Sequence, residues 1–73
     1  MREVIIQALK KHAEGHIEKH RANIEELLEN TAGIAEHPYT LETIEKELAI
    51  IAEYDDQLEM LSKYFVKKDP FKQ

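Results

Sequence analysis

A chain of 73 residues without cysteine can form one small domain, and that domain can use neither a disulfide nor a thiolate metal site for stability. Fifteen acidic against ten basic residues give a net charge of −5, which excludes the basic surface that nucleic-acid binding requires. No run approaches the roughly 20 apolar residues of a membrane span, and no signal-peptide pattern opens the chain. We therefore expect a soluble, cytoplasmic protein that contacts neither nucleic acid nor membrane.

The first predicted element is a helix over about residues 2–30. Apolar and histidine residues recur at spacings of three and four, which places them in one stripe along the helix. The stripe comprises Ile6, Leu9, Ala13, His16, His20, Ile24 and Leu27. We expect Gly33 to cap the helix in the left-handed conformation, followed by a connection over residues 31–39 that contains Pro38.

The second predicted element is a helix over about residues 40–67, followed by a tail over residues 68–73. Thr40 suits the N-cap position, and Tyr39 can pack on Ile44 as a hydrophobic staple. Pro70 disfavours helical structure in the residue before it. The stripe of this helix is Ile44, Leu48, Ile51, Asp55, Leu58, Ser62 and Phe65.

Two helices of matched length joined by a short connection form an antiparallel hairpin. Numbers of opposed residues then sum to a constant, and a sum near 71 brings the two apolar stripes together. This register places His16 level with Asp55, the charged residue in the stripe of the second helix. The fold prediction is an all-α antiparallel two-helix hairpin that assembles into an oligomeric bundle of four or more helices.

Three histidines, His12, His16 and His20, stand one helical turn apart on the first helix. Histidines four residues apart can chelate a divalent transition metal, and Asp55 can add a ligand, so these four residues are the candidate metal site. Two other interpretations remain open. His16 and Asp55 can satisfy each other in the seam and fix its register, or both can reach water independently. The HExxH metalloprotease pattern is absent, because Glu14 and Glu18 each stand one place too late.

The apolar surface is wider than one hairpin can cover, because Ile50, Tyr54, Leu61 and Tyr64 form a flank beside the stripe of the second helix. We therefore predict a homo-oligomer, most simply a dimer of hairpins forming a four-helix bundle. On the first helix, small residues repeat at a spacing of seven. This row either lets a second backbone approach closely or forms an ordinary solvent face, and it comprises Ala8, Gly15 and Ala22.

Paired carboxylates occur in Glu26-Leu-Leu-Glu29 and Glu53-Tyr-Asp-Asp56, a spacing like that of all-α nucleotide pyrophosphohydrolases. Carboxylates that hold Mg²⁺ must converge on one point, and these pairs lie on outer helix faces at different heights. We therefore predict no enzyme activity. The predicted function is a protein-interaction or structural module whose partner is a second copy of itself or another protein. The alternative is a bundle that binds a metal or small ligand through His16, His20 and Asp55.

Three segments carry a family resemblance: residues 12–23 (HAEGHIEKHRAN), residues 36–38 (EHP) and residues 52–61 (AEYDDQLEML). They are similar to short helical proteins of unknown function encoded by tailed phages, including marine phages. The resemblance covers most of the chain. It implies a phage accessory protein acting in the host cytoplasm, and it assigns a role to no particular residue.

Overall fold

The computed structural model describes residues 1–30 and 40–67, and these form two α-helices: α1 spans Arg2–Glu29 and α2 spans Thr40–Tyr64. The described residues contain no strand. The prediction of an all-α chain with two helices is therefore confirmed. Neither helix has a stretch long and apolar enough to cross a bilayer.

Helix α1 begins directly after Met1, whose carbonyl oxygen accepts the N–H of Ile5 at 3.1 Å. At the other end, the N–H of Asn30 donates to the carbonyl oxygen of Glu26 at 3.1 Å, and Asn30 has φ −95° and ψ 46°. The described part of the chain has no residue with positive φ. The predicted cap at Gly33 falls in residues 31–39, outside the described residues, as does the staple residue Tyr39.

Helix α2 ends at Tyr64, three residues before the predicted end at Lys67. The N–H groups of Phe65 and Val66 both donate to the carbonyl oxygen of Leu61, at 3.0 and 3.1 Å. The second of these bonds spans five residues instead of four, so the regular helical ladder stops there. The helix therefore ends at this closing turn, six residues before Pro70 in the sequence.

The helices run antiparallel, and cross-helix contacts measure their register. His16 lies against Tyr54, Asn23 bonds to Glu47, and the guanidinium of Arg2 donates to the carbonyl oxygen of Phe65. The residue numbers of these pairs sum to 67–70, against the predicted value near 71. The predicted pairing direction is confirmed, and the register differs from the prediction by one to four residues.

The hairpin has a seam but almost no core. Among the described residues the only buried apolar one is Ala13, which is 1% exposed, and no large side chain is fully buried. The molecule measures 54 × 26 × 16 Å, the thickness of a single layer of helices, whereas stable domains pack at least two layers. Its accessible surface is 6261 Å². A compact monomer of this mass exposes about 4,700 Å².

Candidate functional site

The three histidines form a ladder along α1, defined here as His12, His16 and His20. The ring centroids of His12 and His16 lie 4.4 Å apart in an edge-to-face arrangement, and those of His16 and His20 lie 6.0 Å apart, nearly parallel. Residues four apart share one face of a helix, which produces this stacking. On α2, Tyr54 stacks on His16 with 4.5 Å between centroids and 8° between ring planes. The ring centroid of His12 lies 5.7 Å from that of the same tyrosine, in an edge-to-face arrangement.

A polar cluster of three side chains continues the ladder toward the connected end of the hairpin. His20 is buried, and its Nδ1 donates to Oε2 of Glu47. Nδ2 of Asn23 donates to the same carboxylate oxygen at 3.1 Å. The Glu47 side chain is 17% exposed, so an acidic group from α2 is held in the seam by two donors from α1. A partly buried carboxylate requires such partners, because an unpaired charge there is costly.

The two donors also determine the charge state of Glu47. The hydrogen bond from His20 lowers the pKa of this carboxyl below its ordinary value, and the bond from Asn23 adds to the effect. Glu47 therefore stays ionised to a lower pH than an ordinary glutamate side chain does. An ionised carboxylate is an acceptor only, which requires Nδ1 of His20 to carry the hydrogen.

The middle histidine of the ladder is in a different position. Nδ1 of His16 is buried and has no hydrogen-bond partner among the described residues. Burial is the main cause that lowers the pKa of His16, and the neighbouring charges of His12, Lys19 and His20 lower it further. The neutral imidazole is favoured at this position, where it packs as a flat, mostly apolar plate against Tyr54.

The predicted contact between His16 and Asp55 is not formed. Asp55 is exposed and points out of the seam, because the register places Tyr54 rather than Asp55 opposite His16. His20 is committed to Glu47. Within residues 1–30 and 40–67, no group of three or more His, Asp or Glu side chains is arranged to hold a metal ion. The His12 and His16 pair alone supplies half of a tetrahedral zinc shell, so a metal site with Asp55 receives no support from this arrangement.

Sequence reasoning missed Glu47, Asn23 and Tyr54 as the partners of the ladder. Glu47 lies three residues after Ile44, four before Ile51 and seven before Tyr54, and that periodicity could have placed it at the edge of the buried stripe. A glutamate at the edge of an apolar stripe can equally well be a solvated residue. Glu47 is instead held in the seam because His20 and Asn23 lie opposite it on α1.

A second feature lies where the start of α1 faces the end of α2. Here a groove of about 500 Å³ is lined by apolar side chains together with Arg2. We call it the terminal groove, and its apolar lining consists of Ile5, Ile6, Leu9, Leu61 and Phe65. About half of the surface of Ile5, Leu9 and Phe65 is exposed, so the groove is open to solvent.

The predicted interface residues fall into two groups. On the apolar flank of α2, Ile50, Tyr54 and Leu61 are half-buried by α1, and Tyr64 is 62% exposed. The small residues of α1 are all exposed, and a Cβ built on Gly15 meets nothing within 4 Å. The hairpin alone therefore leaves the row of small residues uncovered. The paired carboxylates are exposed as well: Glu26, Glu29, Glu53 and Asp56.

No protein-family model, curated protein or solved structure matches this chain.

Proposed function

We propose that this protein is a self-associating helical module, whose function is exerted through protein contacts rather than catalysis. The observation that carries the proposal is the missing core. A domain of 73 residues without disulfides is marginally stable even when compact, and this hairpin buries one apolar residue among those described. Folding requires apolar burial to offset chain entropy, and a second copy provides the missing layer.

The size of the exposed surface supports the same proposal. It exceeds that of a compact monomer of equal mass by roughly 1,600 Å². A stable interface requires about 800 Å² from each partner. The excess surface is large enough to supply one interface of ordinary size.

Analytical ultracentrifugation at micromolar concentration tests the proposal. We expect a species of twice the 8.5 kDa chain mass, or a larger multiple. Because association and folding are coupled, the melting temperature should rise with protein concentration. A monomer with a cooperative melt that is independent of concentration would refute the proposal.

The biological setting follows from the resemblance to short tailed-phage proteins. We propose a phage accessory protein that acts in the host cytoplasm and assembles with itself or with another protein. The net charge of −5 supports a protein partner over nucleic acid. Neighbouring genes test this setting directly, and a chromosomal locus with no phage genes nearby would contradict it.

A further inference from the structure

We propose that the terminal groove is covered by the terminal groove of a second copy, so that two hairpins meet head to head with their connected ends pointing apart. This inference rests on the proposed self-association and identifies its surface and geometry. For the argument we divide the described chain at mid-height. The terminal half comprises residues 1–15 and 55–67, and the loop half comprises residues 16–30 and 40–54.

Exposed apolar side chains are concentrated in the terminal half. Of the ten large apolar residues that the described chain exposes by 46% or more, seven lie there and three lie in the loop half. The seven are Met1, Val4, Ile5, Leu9, Tyr64, Phe65 and Val66. Exposed apolar side chains that are concentrated in one part of a protein mark an interaction site. Two terminal halves that face each other remove both sets of side chains from water.

Net charge is also distributed unequally between the two halves. Among described residues, the loop half carries eight acidic and three basic side chains, a net charge of −5. The terminal half carries five acidic and five basic side chains and is neutral. Two terminal halves therefore meet without net repulsion, whereas two loop halves in contact bring like charges together. Head-to-head contact places the acidic ends farthest apart.

The orientation that remains is a full overlap of two hairpins in opposite directions. That arrangement lays each apolar terminal half against the acidic loop half of its partner. Apolar side chains then face carboxylates that must lose water without gaining a partner. Overlap confined to the terminal halves avoids this cost and still forms a local four-helix layer. A two-fold axis through the groove makes the contact self-complementary, with Leu9 and Phe65 of each copy entering the groove of the other.

A matched pair of substitutions tests the surface. Leu9 in the terminal half and Leu48 in the loop half are exposed by 50% and 51%. We expect Leu9→Glu to raise the dimer dissociation constant at least 100-fold in sedimentation equilibrium. Leu48→Glu should change it by less than threefold. A dimer that is dissociated by Leu48→Glu and withstands Leu9→Glu refutes the head-to-head geometry and leaves self-association intact.

A second experiment controls for the possibility that Leu9→Glu abolishes dimerisation by disrupting the fold of the hairpin. An equimolar mixture with Leu9→Lys should recover a heterodimer, because the two side chains approach each other across the axis. Failure to recover a heterodimer from two variants that are helical by circular dichroism refutes the contact. The alternative is that residues of the tail cover the groove. In that case the natural chain is a monomer and its Phe71→Ala variant binds an apolar dye, a result that would refute both proposals.

Distance measurement tests the orientation without disturbing the groove. The chain has no cysteine, so Glu42→Cys provides a single site for a spin label near the connected end. With 1.5 Å of rise per residue, the head-to-head dimer separates the two labels by about 60–70 Å. Full antiparallel overlap gives roughly 40 Å and loop-to-loop contact less than about 25 Å. A separation of 40 Å or less in a dimeric sample refutes the inference.

Discussion

Gly15→Ala decides whether the small-residue row of α1 is a solvent face or an interface. Gly15 lies in the interior of α1, in the described part of the chain, with φ in the ordinary helical range. A Cβ added there meets no atom of the hairpin within 4 Å. Alanine is favoured over glycine in a helix interior by about 1 kcal/mol, because glycine loses more backbone entropy on folding. Nothing in the hairpin opposes that gain.

The expected size of the effect follows from the chain length. A melting entropy of about 2.1 cal/mol/K per residue gives roughly 150 cal/mol/K for 73 residues, so 1 kcal/mol raises the melting temperature by about 7 °C. Circular dichroism melts of both proteins at equal concentrations measure the shift. Sedimentation should give the same oligomer for both. A lowered melting temperature together with dissociation would mean that a second backbone packs at Gly15, which contradicts an interface confined to the terminal groove.

Four further predictions concern the seam. Ala13→Leu should destabilise the hairpin by about 1–3 kcal/mol, because the added atoms must separate two helices in contact at the most buried position; urea titration measures this loss. Asp55→Asn should change stability by less than about 0.5 kcal/mol, since the side chain is exposed, and a larger loss would restore the predicted pair with His16. Because the pKa of His16 is lowered in the folded chain, the unfolded chain binds the proton of this imidazole first, and stability should fall as the pH drops below about 6.5. In His16→Phe, the melting temperature should depend less on pH in that range. Glu47 also has a lowered pKa, so the unfolded chain binds its proton first and stability should fall as the pH drops below about 4.5. Glu47→Gln should be less stable than the natural chain at neutral pH and should lose less stability below about pH 4.5.

The fold was predictable because its determinants are local. Periodicity of apolar residues identifies both helices, and the long interval without proline between Arg2 and Glu29 defines the first one. Antiparallel pairing follows from two matched helices and a short connection. The end of α2 was placed three residues late, because the shared carbonyl of Leu61 depends on the geometry of the last turn and has no signature in the sequence.

The partners of the histidine ladder were harder to predict. A helical wheel places His16 and Asp55 in facing stripes, and a difference of one residue in register moves Tyr54 into the place of Asp55. One residue corresponds to a rotation of about 100°, which is enough to direct a side chain out of the seam. Which histidine pairs with an acid therefore depends on the register and crossing of the two helices, which the sequence pattern does not specify to within one residue.

The polar cluster and the terminal groove have complementary consequences for assembly. His20, Asn23 and Glu47 satisfy one another across the seam, so the loop half specifies how α1 pairs with α2. The terminal half has no such cluster among its described side chains, and the Arg2 bond goes to a backbone carbonyl that any residue supplies. Apolar contacts are non-directional, so those of the terminal half do not specify which residues of α1 and α2 face each other. The same side chains can therefore make apolar contacts with a second copy as well as within the hairpin. If the proposed head-to-head association holds, the loop half specifies how α1 pairs with α2, and the terminal half forms the contact between copies.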